Sequence, residues 1–568
     1  MNLIYILMLI SILVSGSFFE YISCAYTIVL LVISLYTLIK KKSIIYSADY
    51  NLIAISLFCI MYLISSLYAI DTGYAVLGFF KFMPLILMYF LLCDKPDTRE
   101  YIIQLLPVTG AVITFLTSIM MLFSVFKPYV TVAGRLSGTF QYPNTFALFL
   151  LICILAGVWQ KDRIKYLYIA VNVIGIIETG CRSVFVITII TFIIIALCQK
   201  KYRLGIIIFT AAAAVGIVLL VVFAGNTILA ERIKSISFTS STLMGRLLYY
   251  KDALPVILRH PFGLGYYGYF FIQGEIQTGV YSVANVHNEL LQIMLDIGII
   301  PAIMFFAMLI KTIISKKSPL RNKIIISVII MHSMLDYNFQ FMAILFIMLL
   351  FLQYGEVKSQ RVGIVTYAIS GVISVGLIYG ALIHGLSMFN YNTGNYQTAY
   401  NIGHFNTMAQ IKQLEQVDDT QKGKDIAESI IERNKHVDIA YNAMARYSLS
   451  DNDIEKFILY ELKCIELSPY NHDYYVEFAD YLFEACNIYL NNSQLDSAKI
   501  CYAQLQGIPD MFQKLSDKTS ELAWKINDIP QFGMPVEYYT LIEQYGEKIS
   551  NYETQLQGNC AVVLNDIN

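Results

Sequence analysis

The sequence predicts an all-α protein: a polytopic transmembrane bundle of about 12 to 13 helices over residues 1–389 and a soluble α-helical domain over residues 390–568. Three observations carry this. Hydrophobic residues make up 57% of the 568 and charged residues only 14%, with mean hydropathy +0.59, whereas soluble domains are about a quarter charged. Uncharged apolar runs long enough to cross roughly 30 Å of hydrocarbon recur through the first two thirds. The charge is also divided: 27 Lys and Arg against 15 Asp and Glu up to residue 386, then 13 against 26 beyond it. The net charge of −1 is thus a cancellation, and it excludes general attraction to nucleic acid.

The runs fall at 2–20, 22–40, 50–70, 75–93, 102–126, 143–159, 164–180, 183–198, 203–224, 285–310, 323–336, 339–354 and 363–386. The first, MNLIYILMLISILVSG, lacks a basic leader and is followed at once by another apolar run, so it reads as a first transmembrane helix and not as a cleaved signal. Every second connection is basic: Lys40 to Lys42, Lys161 with Arg163 and Lys165, Lys200 with Lys201 and Arg203, Lys316 to Lys323, Lys358 with Arg361. The positive-inside rule places these in the cytoplasm. Thirteen crossings of a cytoplasmic (inner) membrane then leave the acidic tail extracytoplasmic. The ten cysteines stand singly, without a CxxC pair or a His/Cys cluster, so neither a disulfide framework nor a zinc site is expected.

The outer connections become Glu20, the Asp71 turn, 127–142, Gly180 to Ser183, 225–284, and Asp336 to Asn338. Residues 225–284 form the one long loop of the membrane part, and loops of more than about 15 residues usually serve function. It contains a helical-looking stretch, Gly245 to Pro261, and a Gly-rich aromatic turn, FGLGYYGYF (Phe262 to Phe270). Two readings compete for it, a lid packed on the outer surface and a roof over a substrate site.

Charged groups near a membrane are costly and are functional candidates by default. On the outer side these are Arg135, Arg182, Arg246, Arg259, His260, His287, Glu289, His332 and Asp336, drawn from separate connections to one face. Guanidinium forks hold phosphate oxygens bidentately, and a departing diphosphate carries the most charge in the transition state of its transfer. Arginines with one histidine beside lipid suit a lipid-linked diphosphate, the histidine serving as general base. No DxD motif occurs on this face, which favours a metal-independent reaction with no cofactor.

GRLSGTFQYPNTFALFL (Gly134 to Leu150), ETGCRSVFV (Glu178 to Val186), Arg246 to Pro261 leading into FGLGYYGYF, VHNELLQIMLDIGIIPAI (Val286 to Ile303) and MHSMLDYNFQF (Met331 to Phe341) follow in order. Together they resemble the O-antigen ligase and O-antigen polymerase superfamily of bacterial membrane glycosyltransferases, over roughly residues 50–355. The resemblance implies transfer of a glycan from undecaprenyl diphosphate to an acceptor hydroxyl on the outer face of the cytoplasmic membrane. It implies that Arg182 and Arg246 bind the diphosphate and that His287 activates the acceptor; Arg135, from the same outer-face cluster, and Asn288, next to His287, are taken as further substrate contacts. One departure is Cys181 before Arg182, where the family often has Ser.

Plainer roles compete. Arg182 would snorkel from a helix end, Arg246 would pair with Asp252, and His287 would cap its helix with Asn288 and Glu289 as first-turn residues. Arg135 and Asn144 would mark only a helix start. His332 and Asp336, four apart, would pair with each other. Glu178 is a further acid or base candidate, while His260 and His384 receive no role.

Beyond Asn390 the pattern becomes amphipathic. Ala445, Leu449, Phe457, Cys464 and Pro469 approximate the positions of a tetratricopeptide repeat of about 34 residues, and Ala479, Tyr481, Ala498, Tyr502 and Pro509 a second, stretched to about 40. An irregular helical bundle is the alternative. Either presents a surface for an envelope protein or a glycan. The leading function is a polysaccharide polymerase or O-antigen ligase; a protein O-oligosaccharyltransferase and, from another class, a lipid-linked glycan transporter are the alternatives. The expected partners are the lipid-linked glycan, an acceptor glycan, lipid or protein, and membrane lipid.

Overall fold

The computed structural model describes residues 3–199, 241–417 and 420–566, with side chains up to residue 555. The run expected at 203–224, the basic residues Lys200, Lys201 and Arg203, and the start of the long loop lie outside the described residues. The chain forms two compact units. Among described residues the first takes 3–199, 253–269 and 283–409; the second takes 241–252, 270–282 and everything from 410 onward.

The first unit is helical: α1 (Leu3–Leu13), α2 (Glu20–Lys41), α3 (Tyr50–Ser65), α4 (Thr72–Leu92), α5 (Pro96–Met121), the single turn α6 (Lys127–Val130), α7 (Pro143–Val158), α8 (Lys165–Thr179) and α9 (Arg182–Cys198). Helix α10 (Ser241–Arg259) crosses the boundary between units at Asp252, and α11 (Gly268–Ile276) crosses it at Tyr269. Then follow α12 (Glu289–Ile297), α13 (Ile299–Ile314), α14 (Leu320–Ser333), α15 (Met342–Phe351), α16 (Ile364–Asn392) and α17 (Tyr396–Ile402). Among the described residues α2, α4, α5 and α16 are long and apolar enough to cross a membrane; α1, α3, α7, α9, α13 and α15 are shorter apolar helices.

Helix starts follow local chemistry. Asp49 accepts from the Leu52 amide (3.1 Å) and Asp71 from the Tyr74 amide (3.0 Å), as N-caps do, and Pro143 occupies the first turn of α7. Every side chain of α15 is buried, and all but two of α7, so these two form the centre of the bundle.

Two apolar runs are not continuous helices. The run 2–20 stops at Leu13 and turns through Ser15, Gly16 and Ser17, all at positive φ. The run 285–310 breaks at Gly298 (φ 99°), where a Cβ would stand 2.6 Å from the Pro261 carbonyl oxygen. The break exists because the Gly-rich segment of the long loop folds into the bundle there. Leu264 and Gly265 donate to the carbonyls of Leu295 and Asp296 (2.6 and 2.9 Å). Tyr266 is buried with Lys81 and Glu20: the Lys81 ammonium lies 3.0 Å from Glu20 Oε1 and 2.8 Å from the Tyr266 hydroxyl, which donates to the same carboxylate at 2.6 Å. This segment thus supplies the hydroxyl a buried ion pair requires.

The two ends of the bundle differ. At one, β1 (Ser43–Ser47) pairs antiparallel with Val357–Arg361, Ser43 opposite Arg361, joining two connections expected on the cytoplasmic side. Lys41 pairs with Asp94 (3.1 Å) and Arg321 holds Glu100 bidentately (2.8 Å each) at the same end. Following the helices to their other ends leads to Arg135, Thr179, Cys181, His287 and Asp336.

The second unit contains α18 (Thr407–Leu414) from Gln410 onward, α19 (Thr420–Arg433), α20 (Asp438–Ser450), α21 (Ile454–Leu467), α22 (His472–Asn491), α23 (Leu495–Lys518) and α24 (Val536–Asp566). Phe457, Phe478, Leu482, Leu505 and Phe512 form its core. Pro469 follows the end of α21, as the repeat pattern expects, whereas Pro509 lies inside α23. The loop pieces are stitched in by Asp252, which accepts from the Thr278 amide and hydroxyl (2.9 and 2.7 Å) and the Tyr281 hydroxyl (2.9 Å), and by Lys251, which donates to Ser520 (2.8 Å).

Candidate functional site

Four connections of the first unit meet around Asp336, whose carboxylate is fully buried. Oδ1 accepts from His287 Nδ1 (3.1 Å), the Tyr142 hydroxyl (2.8 Å) and the Tyr337 amide (3.0 Å); Oδ2 accepts from Asn144 Nδ2 (2.7 Å). Four donors satisfy the charge a buried carboxylate must have satisfied. A carboxylate only accepts, so the network assigns the proton of neutral His287 to Nδ1 and leaves Nε2 with a lone pair. The His287 side chain keeps 20% exposure, enough to meet a ligand.

The backbone prepares this arrangement. Tyr142 precedes Pro143 and is extended (φ −145°, ψ 108°), as a residue before proline prefers, while Asn144 stands in the first turn of α7. His287 has φ 57°, a left-handed conformation uncommon for a side chain of its size and frequent at functional sites. The next residue is the cap: Asn288 Oδ1 accepts from the Leu291 amide (3.2 Å) and its amide donates to the Met334 carbonyl (3.1 Å). The capping role considered for His287 thus belongs to Asn288. The fully buried Glu289 accepts from the Phe339 amide (2.5 Å), tying the start of α12 to the turn that bears Asp336. Tyr337 meets the His287 ring edge-on (4.9 Å) and stacks on Tyr142 (4.7 Å).

Arg135 extends the network. Its Nη2 donates to Asn144 Oδ1 (2.6 Å) and its Nε to the Thr179 carbonyl (2.7 Å), giving an unbroken sequence Arg135, Asn144, Asp336, His287. Asn144 therefore does more than start a helix. Gly180 (φ 57°) then turns the chain from α8 into α9, which Arg182 opens. His332 secures this turn: its Nε2 lies 3.1 Å from Ser183 Oγ and 3.9 Å from Cys181 Sγ, and its Nδ1 lies 3.1 Å from Asn338 Oδ1. The pairing expected between His332 and Asp336 is not formed, because α14 ends at Ser333 and the i,i+4 relation lapses; Asp336 serves His287 instead. Glu178 accepts from Ser118 (2.5 Å).

Arg246 lies on α10 within the second unit, half-buried, with Tyr249 one turn on. The carboxylate once considered its partner, Asp252, is held by Thr278 and Tyr281.

Sequence reasoning placed His287, Arg135 and Arg182 at one end of the bundle and missed the roles of Asp336, Tyr142 and Tyr337. The signal was present in YPN and LDYNF, two polar turns between apolar runs.

Residues 167–306 match the family model described as O-antigen ligase, a stretch that includes Arg182, Arg246, His287 and Asn288. No curated protein and no solved structure matches the chain. Residues 167–306 are thus similar to the O-antigen ligase family, a glycosyl-transferring one, and the apolar helices of the first unit suit a multi-pass membrane protein.

Proposed function

We propose that the protein transfers a glycan from undecaprenyl diphosphate to an acceptor hydroxyl at the outer face of the cytoplasmic membrane, as a polysaccharide polymerase or O-antigen ligase. The observation that carries this is the His287–Asp336 pair at the bundle end opposite the basic connections. His287 Nε2 removes the proton of the acceptor hydroxyl as its oxygen attacks the anomeric carbon and the bond to the diphosphate breaks. Asp336 keeps the imidazole in the required tautomer and stabilises the imidazolium that forms, a role worth roughly 10² to 10⁴ in rate together with the base. Arg182, Arg246 and Arg135 bind the diphosphate and offset the charge growing on it, so that no metal ion is needed. Arg246 enters this reading through its place in the family motif. Asn288 holds the backbone that presents His287. Thirteen spans with the acidic, tetratricopeptide-like tail outside complete the proposed topology.

Purified protein is supplied with a polyprenyl-diphosphate glycan and separate lipid, glycan and protein acceptors. Longer glycan marks a polymerase, a glycosylated lipid core a ligase, and a modified protein hydroxyl an oligosaccharyltransferase. Lipid flipping without bond formation would make it a transporter, and full turnover by Arg182→Ala and Arg246→Ala would overturn the diphosphate assignment.

A further inference from the structure

The second unit contains a cleft of about 550 Å³ unrelated to the His287 network, at the tips of two helical hairpins, α20/α21 and α22/α23. Both hairpins turn in the same way. Asn452 (φ 57°) donates to the Leu449 carbonyl and the Asp453 amide to that of Ser448; Ser493 (φ 61°) donates to Leu490 and the Gln494 amide to Tyr489. The equivalent turns stand side by side and enclose the cleft, within the size range of small-molecule sites.

Its lining has an unusual chemistry. Asn452, Tyr481, Glu484, Tyr489, Asn492 and Gln494 supply three amides, two phenols and one carboxylate. Among the described residues none of these six side chains makes a hydrogen bond to protein through its polar atoms. The tyrosines are half-buried and packed on the core, Tyr481 edge-on to Phe457 (5.7 Å), so their rings are held in place while their hydroxyls remain uncommitted. Ile488, 49% exposed, adds an apolar patch. No Lys or Arg lines the cleft, and Glu484 is its one charged group, so a phosphate or other anion is disfavoured.

Rigid aromatic faces pack against the C–H face of a pyranose ring. Amides both donate and accept, which matches hydroxyls that do both, and a carboxylate accepts from neighbouring hydroxyls. We infer that this cleft binds an uncharged stretch of glycan, keeping the growing or incoming chain at the enzyme between transfers. The inference rests on the glycosyltransferase reading, because that reading brings glycan to the protein. A peptide is the competing occupant; no paired charges or free sheet edge favour it.

The test uses the full-length protein in nanodiscs. The probes are maltotriose, diacetylchitobiose and glycan released by mild acid from the polyprenyl-diphosphate pool of the host cells, read by saturation-transfer NMR. Released glycan should bind wild type and His287→Ala alike. It should bind about tenfold more weakly to Asn452→Gly/Asn492→Ala, which loses two amide contacts while glycine keeps the left-handed φ of 57° at position 452, and to Tyr489→Ala. The double Asn variant alters exposed turn residues and should melt with wild type, so its loss cannot be assigned to unfolding. Equal binding by all variants, no binding of any glycan by wild type, or photocrosslinking from position 452 to peptide alone would overturn the inference. If the cleft binds glycan while wild type forms no glycosidic bond, the proposed reaction fails and the glycan site stands. Normal turnover with variant-insensitive binding refutes the site alone.

Discussion

Replacing Asp336 by Asn removes one charge and no volume, and the network leaves the new amide no satisfactory orientation. With its NH2 toward Oδ1, it faces three donors: His287 Nδ1–H, the Tyr142 hydroxyl and the Tyr337 amide. His287 then moves its proton to Nε2 to accept at Nδ1, and the lone pair that would take the acceptor proton is lost. With its NH2 toward Oδ2, it faces the Asn144 amide; Asn144 must flip, turning its own NH2 against Arg135 Nη2, which donates to Asn144 Oδ1 at 2.6 Å in the native arrangement. The first orientation disables the base and the second releases an arginine. A general base contributes about 10² to 10⁴ in rate, or roughly 2.7 to 5.4 kcal/mol at 1.36 kcal/mol per decade. Asp336→Asn should therefore lower kcat by about 10² to 10⁴ and, through the loosened Arg135, also raise donor KM. One buried donor facing another costs a further 1 to 3 kcal/mol of stability, roughly. Initial rates of polyprenyl-diphosphate release at saturating donor measure the first effect and thermal melting the second. Turnover within about threefold of wild type would show that Asp336 does not govern the tautomer of His287, since the expected loss is at least about 10².

His287→Asn should melt close to wild type, because asparagine tolerates the left-handed φ of 57° at this position, while turnover falls at least about 100-fold; parallel melting and rate measurements separate the two. Lys81→Met should destabilise the bundle by about 3 to 5 kcal/mol by stranding Glu20, and adding Glu20→Gln should restore part of it; a double variant weaker than the single one contradicts the buried pair. In the second unit burial pushes the Glu461 carboxyl up to about 8, with nearby Glu477 adding to the rise and Asn442 donating to it at 3.2 Å. Its folded form retains a proton the unfolded chain releases near pH 4.5, so stability is lost as pH rises from about 4.5 to 8. Glu461→Gln should raise the melting temperature at pH 8 and leave it nearly unchanged at pH 5; no gain at pH 8 refutes the buried, protonated acid. Turnover should survive prolonged chelation of divalent ions, and its abolition with restoration by one metal would replace the arginine mechanism.

Apolar runs and basic connections made the bundle and the direction of its helices legible. Lipid-compatible helices announce themselves by composition, and the pairing of residues 43–47 with 357–361 joins two connections assigned to one side. The breaks at Gly16 and Gly298 were not legible, because glycine is common in such segments and only the approach of Phe140 or Pro261 reveals why none but glycine fits. That the long loop is divided between the two units was not legible. Its Gly-rich centre enters the bundle to meet Lys81, while the flanking pieces fold with the C-terminal residues, and both depend on partners more than a hundred positions away. At the site, single residues were visible and their pairing was not. His332 and Asp336 had helical spacing, but a helix ending at Ser333 cancels it and sends Asp336 to His287. Asn144 and Tyr142 looked like the entry to α7 because proline and a small polar residue begin helices everywhere.

The decisive measurement is the release of polyprenyl diphosphate from a lipid-linked glycan by purified protein, with and without an acceptor hydroxyl, for wild type and His287→Ala. Release by wild type should require the acceptor and accompany a new glycosidic bond, and it should fall at least about 100-fold in His287→Ala. Equal, acceptor-dependent release by both proteins would remove His287 from the chemistry and with it the role assigned to Asp336.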